Sequence, residues 1–313
     1  GKAGLEQYYE TYLRGKNGEQ KFYIDNVGRI SEIISSTDSV AGDDLYLSID
    51  ADLQKATYLA LQNEIAAIVY SNIKSGEIPI NDVYTALIGN SVINTEHFSK
   101  AKASDTEKNV LSVFKSRQKT TLGKIKQELT SSPEALNTMS DEVLDEFTYI
   151  ISMLKDDQVL LKNEIDTSDS VYQKWKNQKI SPKEYLSYCI TQHWIDISQL
   201  NVDEKYADST EVYDALCKYI LKNIKTDTEF SKIIYQYMIT RGEISPRQLC
   251  LILFDQGVLD YDDATVNKLK NGSLSPRDFL MKKIYNIEIT PAQLALEPCT
   301  GSCVVTDEKT GEI

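Results

Sequence analysis

The spacing of apolar residues changes once along this chain, near residue 64. Before that point one helical stripe, with members three or four residues apart, ends at Gly15 and comprises Leu5, Tyr8, Tyr9, Tyr12 and Leu13. Strands are predicted at residues 21–24, from about Arg29, and at residues 45–49, with turns at residues 25–28 and 42–44. Asp50 suits the N-cap of a long amphipathic helix. This first part therefore predicts strands framed by two helices.

From about residue 64 to residue 298 the strand pattern disappears and helical stripes follow one another. Three of them are Val143, Phe147, Ile150, Ile151 and Leu154; Val212, Leu216 and Ile220; and Phe230, Ile233, Ile234, Tyr237 and Met238. Beyond this region, β-branched residues 303–305 predict a strand, residues 307–311 a turn, and residues 312–313 the start of another strand. The predicted fold class is mainly α with a small α+β part.

Four helix starts in the helical region share a Ser or Thr followed by Pro. The hydroxyl residue suits the N-cap, and Pro suits N1, where its missing N–H costs nothing. The starts are Ser181-Pro182, Ser245-Pro246, Ser275-Pro276 and Thr290-Pro291, with Ile78-Pro79 as a degenerate fifth. A capping box is predicted from the N3 residues Glu184, Gln248, Gln293 and, as a shorter version, Asp278. The irregular spacing excludes a fixed-period solenoid, so the starts are either duplicated docking units or, as we favour, a common way to begin helices.

The charge excludes one class of partner. The chain has 313 residues, which predicts about two domains, and a net charge of -13, which argues against a nucleic-acid-binding protein. One basic segment comprises Lys115, Arg117, Lys119, Lys124 and Lys126 and is interpreted as a solvated helix face, with a polyanion contact as the alternative. No apolar run approaches the length of a membrane span, and no signal peptide is visible.

The residue types that usually carry chemistry do not form a recognisable pattern. Cys189, Cys217 and Cys250 lie in helical stripes and are predicted to be small buried hydrophobes, whereas Cys299 and Cys303 are spaced so that a disulfide stays open as a possibility. A metal site is not predicted, and His97, His193, Trp175 and Trp194 are interpreted as structural residues.

One catalytic motif needs separate consideration. Serine acyl-transferases combine Ser-x-x-Lys, Ser-x-Asn and Lys-Thr-Gly. This chain contains Lys309-Thr310-Gly311 and a Ser-x-x-Lys string at Ser71, Ser99, Ser112, Ser116 and Ser152, but no Ser-x-Asn. The Ser-x-x-Lys strings lie in polar segments that are predicted to be helical, and the Lys-Thr-Gly lies in a predicted turn. We therefore predict no catalytic, cofactor-binding or metal-binding residue in this chain.

Three blocks of the chain, in this order, carry a resemblance. They are Gly4-Leu5-Glu6 with Tyr12-Leu13-Arg14-Gly15-Lys16-Asn17-Gly18; Gly42-Asp43-Asp44-Leu45-Tyr46-Leu47-Ser48-Ile49-Asp50 with Leu53-Gln54; and Val304-Val305-Thr306-Asp307-Glu308-Lys309-Thr310-Gly311-Glu312-Ile313. The first resembles the GLE…LRGxxG signature of the non-catalytic module of class B penicillin-binding proteins. The second is similar to their LTID…LQ junction, with Ser48 in place of Thr, and the third to the strand that opens their transpeptidase domain.

The resemblance implies a division of the chain. Residues 1–68 would form the pedestal, or dimerisation-like, module, completed by residues 299–313, and residues 69–298 would be an inserted all-helical domain. The whole protein would be a membrane-anchored D,D-transpeptidase that cross-links peptidoglycan on the extracellular face of the bacterial membrane and is acylated by β-lactams. Its catalytic serine would lie beyond Ile313 and its anchor before the first residue.

The partners implied are the transpeptidase domain and, through the helical insertion, other proteins of cell-wall synthesis. The partner of the insertion, the oligomeric state and the choice between division and elongation stay open. The alternative is an acidic helical scaffold unrelated to cell-wall enzymes.

Overall fold

The computed structural model of the chain describes residues 3–24, 29–131, 134–202, 207–296 and 299–311. The chain divides into two compact units. The first unit comprises Gly1–Leu59 and Ser302–Ile313, and the second comprises Ala60–Gly301. Helices dominate, and the strands of the described ranges form one two-stranded sheet. The predicted fold class, mainly α with a small α+β part, is confirmed.

The first unit begins with two short helices and a hairpin. The elements are α1 Gly4–Tyr8, α2 Glu10–Leu13, β1 Glu19–Ile24 and β2 Ile30–Thr37, and helix α3 Ala51–Ser75 begins in this unit. The strands are antiparallel, and the register shifts between Lys21 and Phe22 and again between Tyr23 and Ile24. Both predicted hairpin strands are confirmed, while the predicted turn at residues 25–28 lies outside the described residues. Asp50 is an N-cap as predicted, because its Oδ1 accepts from Leu53 N at 2.8 Å.

Two predicted strands are wrong. Residues 45–49 and 303–305 have no strand structure, and residues 42–44 do not form a turn. A strand needs a neighbour to accept its backbone hydrogen bonds, and β1 and β2 pair with each other in the described part of the chain. The turn at residues 307–311 is confirmed: Asp307 Oδ1 accepts from Lys309 N at 2.7 Å and from Thr310 N at 2.9 Å, and Gly311 has a φ of +74°. The predicted strand at residues 312–313 lies outside the described residues.

The second unit is a bundle of helices that surrounds the long helix α5. Its helices after α3 are α4 Ile80–Gly89, α5 Asp105–Thr130, α6 Asp141–Asp156, α7 Ser170–Lys176, α8 Pro182–Thr191, α9 Ser209–Ile224, α10 Thr228–Thr240, α11 Pro246–Asp255, α12 Asp263–Asn271, α13 Pro276–Tyr285 and α14 Pro291–Leu294. Three short 3₁₀ helices occupy Thr95–Ser99, Leu136–Thr138 and Ile197–Gln199. Helix α5 packs against α8, α9, α10 and α11, and α4 packs against α10, α11 and α14.

The apolar stripes predicted from the sequence form the core of this bundle. Phe147, Leu216 and Phe230, one from each predicted stripe, are fully buried. Aromatic rings pack against each other in this core, where Tyr235 stacks on Phe114 with ring centroids 4.2 Å apart and an interplanar angle of 11°. The helix predictions for this region are thereby confirmed.

The predicted helix starts are confirmed in the structure, with one exception. Ser181, Ser245, Ser275 and Thr290 are the N-caps of α8, α11, α13 and α14, each followed by Pro at the first helical position. The capping box is complete with Gln248 and Gln293. The Glu184 side chain, by contrast, accepts no hydrogen bond from the backbone N–H of its N-cap, Ser181. The fifth case is wrong, because Pro79 is itself the N-cap of α4 and supplies no side-chain acceptor.

The connection before each of these four starts is also of one kind. A residue at positive φ ends the preceding segment three positions before the cap; these residues are Gln178, Gly242, Gly272 and Ile287. After three of these residues, the N–H of the next residue bonds back to the last turn of the helix: Lys179 N donates to Lys174 O at 2.8 Å, Glu243 N to Met238 O at 2.8 Å and Glu288 N to Lys283 O at 2.9 Å. This is the Schellman arrangement, which satisfies the last carbonyl groups of a helix. Each connection therefore spans only a few residues and leaves few free backbone groups.

Candidate interaction surfaces

Backbone hydrogen bonds in the first unit join two of the sequence blocks. Lys16 N donates to Val40 O at 2.8 Å, Val40 N donates to Lys16 O at 2.9 Å, and Asp43 N donates to Tyr12 O at 2.9 Å. The segment that follows α2 thus lies along residues 40–43, although some 25 residues separate them along the chain. The two blocks form one site.

Two glycines make this close approach possible. Gly15 has a φ of +66°, and a Cβ there would overlap the carbonyl oxygen of Val40 and lie 2.7 Å from Gly42 N. A Cβ on Gly42 would overlap the carbonyl oxygen of Leu13. Side chains at these positions would push the two backbone segments apart, which is the physical reason for glycine in both blocks.

A cavity of about 310 Å³ lies beside this junction. It is lined by Tyr9, Tyr12, Leu13, Asp43, Asp44 and Leu45. The rings of Tyr9 and Tyr12 are 6.3 Å apart, and Tyr12 is 62% exposed. An aromatic wall with two carboxylates at its edge suits an apolar or a cationic group.

The described residues of the first unit include no buried side chain. Large apolar side chains are exposed instead, on the hairpin at Phe22, Ile24, Ile30, Ile33 and Ile34, and elsewhere at Tyr8, Val40, Tyr46, Leu47, Ile49, Leu53, Tyr58, Leu59, Val304 and Val305. Apolar surface of this extent on an otherwise folded protein marks an interaction surface. By contrast, every buried hydrophobic residue of the described chain lies in the second unit, between Ala66 and Leu294.

The second unit contains a cluster of charges between α5, α6 and the end of α10, in which Arg117 and Glu142 are shielded from solvent and Arg241 and Glu243 are exposed. Arg117 Nη2 donates to both carboxylate oxygens of Glu142 at 2.9 Å, and Arg241 Nη2 lies 2.6 Å from Glu142 Oε2. Glu243 adds a longer contact of 3.6 Å to Arg117 Nη1. A carboxylate that is only 4% exposed is tolerable here because two guanidinium groups neutralise it.

This cluster corrects one prediction about the basic segment. Lys115, Lys119, Lys124 and Lys126 are exposed on α5, as expected for a solvated helix face, but Arg117 is not part of that face. Its side chain is only 16% exposed and serves the buried ion pairs. Charge counting along the sequence cannot separate these roles, because burial depends on the contacts of α5 with its neighbours.

Glu146 lies one helical turn beyond Glu142 and is 1% exposed. Burial, and next the nearby Glu142, raise the pKa of Glu146 to about 8. Its Oε1 has no hydrogen-bond partner in the described residues, and neither has Arg117 Nε. Glu146 is therefore neutral at pH 7. No pattern in the sequence distinguished this residue from exposed glutamates.

His97 has a structural role, as predicted. Its Nδ1 lies 2.7 Å from Oε1 of the fully buried Glu107, which also accepts from Gln256 Nε2 at 2.7 Å and from Ser104 N. Burial alone would raise the pKa of Glu107, but the hydrogen bonds from Gln256, Ser104 and His97 together lower it. This network ties the loop before α5 to the end of α11.

Three cysteines and both tryptophans are packing residues in the described structure. Cys189, Cys217 and Cys250 are buried, and burial raises the pKa of Cys189 and of Cys250 to about 12. Cys299 and Cys303 are free thiols, so no disulfide joins them. Trp175 stacks on Tyr185 with centroids 4.5 Å apart, and Trp194 packs edge-on against Tyr188.

The serines of the Ser-x-x-Lys strings are scattered over the surface. Ser71, Ser112, Ser116 and Ser152 are exposed on α3, α5 and α6, and Ser99 is exposed on a 3₁₀ helix. Lys309-Thr310-Gly311 belongs to the turn capped by Asp307. Within the described ranges, no group of metal-ligating side chains is assembled, and no helix has the length and apolar character of a membrane span.

Comparison with known proteins locates a relationship at the N-terminus. Residues 1–47 match the family model of the penicillin-binding protein dimerisation domain. The chain is 35% identical over 78 residues to peptidoglycan D,D-transpeptidase MrdA of Salmonella typhimurium LT2, which covers 25% of this chain and 12% of the relative. It is 34% identical over 111 residues to peptidoglycan D,D-transpeptidase FtsI of Escherichia coli K12, which covers 36% of this chain and 18% of the relative.

Each of these matches covers only part of this chain and only part of the relative. The chain matches less than a fifth of the length of these curated relatives, at 12% and 18%. No solved structure matches the chain significantly.

Proposed function

We propose that this chain is the non-catalytic pedestal of a peptidoglycan D,D-transpeptidase, with an inserted helical interaction domain, because residues 1–47 match the family model of the penicillin-binding protein dimerisation domain. The pedestal consists of residues 1–68 and 299–313, and the insertion of residues 69–298. The whole protein acts outside the cell, cross-links peptidoglycan and reacts with β-lactams through a serine that this chain does not contain. The Lys-Thr-Gly of the terminal turn has no catalytic part.

The observation that carries the proposal is the exposed apolar surface of the first unit. A two-stranded hairpin is marginally stable alone, and Phe22 and Ile33, which face each other across it, are 42% and 54% exposed. Such a hairpin gains stability when another structural element covers it. In a pedestal, that element is the catalytic domain or the remainder of the pedestal module, and the fixed contact sets the position of a tethered active site.

The closure of the second unit on itself supports its description as an insertion. Asn90 Nδ2, just after α4, donates to Leu294 O of α14 at 2.6 Å, and Arg277 Nη2 of α13 donates to Ile73 O of α3 at 3.1 Å. Each of the first two helices of the unit is thus bonded to one of its last two. A domain whose two ends meet can enter a host domain with little disturbance of the host's backbone.

The similarity of the chain to two transpeptidases disfavours the alternative, an acidic helical scaffold unrelated to cell-wall enzymes. In this proposal the insertion contacts other proteins of cell-wall synthesis. Labelling with a fluorescent penicillin tests the assignment of the active site. We expect no covalent label on this chain and strong label on E. coli MrdA treated in parallel; acylation of this chain would overturn the assignment.

A chimera tests the pedestal itself. Residues 1–47 replace the corresponding dimerisation segment of E. coli MrdA in cells depleted of the native protein, and growth is measured. We expect growth with the chimera and its loss when the facing pair Phe22→Asp and Ile33→Asp removes the apolar surface.

The matched control is the facing pair Gln20→Asp and Ser36→Asp on the same hairpin, which changes the net charge by the same amount. It introduces the same two opposed carboxylates without removing apolar surface, so growth is expected to continue. Failure of the unmodified chimera, or equal failure of the two variants, would contradict a docking role for the apolar face.

A further inference from the structure

A groove between α3 and α13 in the second unit is basic, although the chain as a whole is acidic. It encloses about 540 Å³ and is lined by Tyr70, Lys74, Arg277, Asp278, Met281, Lys282 and Tyr285. Three cations and one carboxylate leave the groove a formal charge of +2, whereas the whole chain has a net charge of -13. The groove is thus a local reversal of the charge of the molecule.

The two lysines of the groove lack ion-pair partners. Lys74 and Lys282 are exposed, and no carboxylate of the described residues lies within ion-pair distance of either. Lys283, the next residue of α13, behaves differently: it pairs with Glu288 and lies 5.7 Å from the centre of the Phe279 ring. On the same helix, Lys283 is therefore paired within the chain, whereas Lys282 is available to pair with a ligand.

The other two charged residues of the groove are held in place. Arg277 Nη2 donates to Ile73 O at 3.1 Å, which leaves its remaining N–H groups for a ligand. The Asp278 carboxylate accepts from Ser275 Oγ at 2.7 Å, which holds it at the start of α13. Its negative charge offsets one of the three cations, and the net charge of +2 remains.

The groove also has an apolar component. Met281 lies at its base and is only 4% exposed, while the ring of Tyr285 is 54% exposed. Tyr70 and Tyr285 meet edge to face with centroids 5.2 Å apart. An exposed tyrosine against a buried methionine can hold an aliphatic or aromatic side chain.

The length of the groove indicates the size of its ligand. The lining residues of α13 extend from Arg277 to Tyr285, eight positions or about 12 Å of helix. An extended peptide advances about 3.3 Å per residue, so roughly four residues fit along this length. The groove is only partly enclosed, which suits a stretch of polypeptide.

We propose that this groove binds an extended acidic peptide segment of a partner protein, about four residues long, with one aliphatic or aromatic side chain over Met281 and Tyr285. Carboxylates of the segment pair with Lys74, Arg277 and Lys282. The inference rests on the geometry of the second unit and is independent of the assignment of residues 1–47 to a pedestal.

Fluorescence anisotropy with the full chain tests this inference. The probe is a fluorescein-labelled peptide that contains Glu-Leu-Glu-Glu, and a second probe has Gln in place of each Glu. We expect binding of the acidic probe that weakens with added salt, and no binding of the Gln probe. The double variant Lys74→Gln and Lys282→Gln is expected to weaken binding roughly three- to tenfold.

The control variant is Lys176→Gln with Lys268→Gln. These two lysines are exposed and lie in the last turns of α7 and α12, as Lys74 and Lys282 lie in the last turns of α3 and α13. The control has the same net charge as the groove variant and should bind as the wild type does. Circular dichroism melts verify that both variants fold.

Three results would overturn the proposal. They are absence of binding by the wild type, equal weakening in the control variant, and displacement of the peptide by polygalacturonate or by phosphatidylglycerol vesicles at matched charge. Weakening confined to Lys119→Gln with Lys126→Gln would also overturn it and would locate a polyanion contact on the face of α5.

Discussion

At the scale of single residues, two buried glutamates of the helical unit have opposite environments. Glu107 accepts hydrogen bonds from Gln256, from Ser104 N and from the His97 ring, and these bonds lower its pKa. Glu146 lies equally deep, has an unpartnered oxygen and has a neighbouring carboxylate in Glu142. Both side chains are excluded from solvent, but three hydrogen-bond donors lower the pKa of Glu107, whereas burial and the neighbouring Glu142 raise that of Glu146.

The substitution Glu146→Gln should make the protein more stable at neutral and alkaline pH. The pKa of Glu146 is raised from 4.5 to about 8, so its neutral form stabilises the fold below pH 4.5, and this contribution is lost as pH rises towards 8. In that window the free energy of unfolding should fall by up to about 1.4 kcal/mol per pH unit more in the wild type than in the variant. Urea titrations from pH 4 to pH 9 measure the difference.

The control for this prediction is Glu64→Gln, which removes an exposed carboxylate from α3. It should leave the pH profile close to that of the wild type. Parallel profiles for the wild type and Glu146→Gln would show that Glu146 is ionised in the folded state and would contradict the prediction.

The glycine pair of the first unit gives a second prediction at this scale. Gly15→Ala should break the contact between residues 12–16 and 40–43, because positive φ costs an alanine about 1 kcal/mol and the Cβ overlaps the Val40 carbonyl. We expect faster hydrogen exchange at the amides of Lys16, Val40 and Asp43. Gly4→Ala is the matched control, since Gly4 has a φ of +62° but no atom within 4 Å of the added Cβ. Equal effects of the two substitutions would refute the close-approach argument.

At the scale of elements, the helical unit is built from helices joined by short connections of one design. A residue at positive φ closes one helix and a hydroxyl residue caps the next, three positions later. The caps were predictable from the sequence because the interaction is local: Ser245 and Gln248 are only three residues apart. The positive φ of Gln178 and Ile287 was not predicted, since neither residue type favours that conformation.

Gln178→Gly should therefore stabilise the protein by about 0.5–1 kcal/mol. Gln178 has a φ of +60° beyond α7, a conformation that glycine adopts without strain. Lys174→Gly, in the interior of the same helix, should instead destabilise by about 1 kcal/mol. Thermal unfolding of the two variants measures the effect of glycine on stability in the two backbone conformations. If both substitutions changed the stability in the same direction, the proposed strain at Gln178 would be contradicted.

The two strand predictions that were wrong share one cause. The alternating residues 45–49 and the β-branched residues 303–305 have the local preference of strands, yet neither segment is a strand. Pairing depends on a neighbour, and a neighbour is a property of the fold that the local pattern does not contain. The same reasoning explains why Glu146 and Arg117 could not be distinguished from exposed charges on the same helices.

At the scale of the whole molecule, the two units differ in how they are stabilised. The buried hydrophobic residues of the described chain all lie between Ala66 and Leu294, whereas the first unit presents its apolar residues at the surface. The pattern of apolar residues changes near residue 64, and the N-terminal part of the first unit ends at Leu59. The surfaces responsible for function were less predictable: the groove of α3 and α13 joins residues about 200 positions apart, whose proximity no local pattern indicates.

The contact between the ends of the helical unit has a consequence for biosynthesis. The ribosome completes residues 1–59 long before Ser302 emerges, because the 242 residues of Ala60–Gly301 come between them. At roughly 5–20 residues per second this interval lasts on the order of ten seconds or more. Helical bundles fold in microseconds to milliseconds, so the intervening unit can fold and form the Asn90–Leu294 and Arg277–Ile73 bonds as soon as its last helix is free. The apolar side chains of the hairpin are thus the part of the nascent chain that stays exposed longest before another structural element covers them. A chaperone would therefore bind this part first.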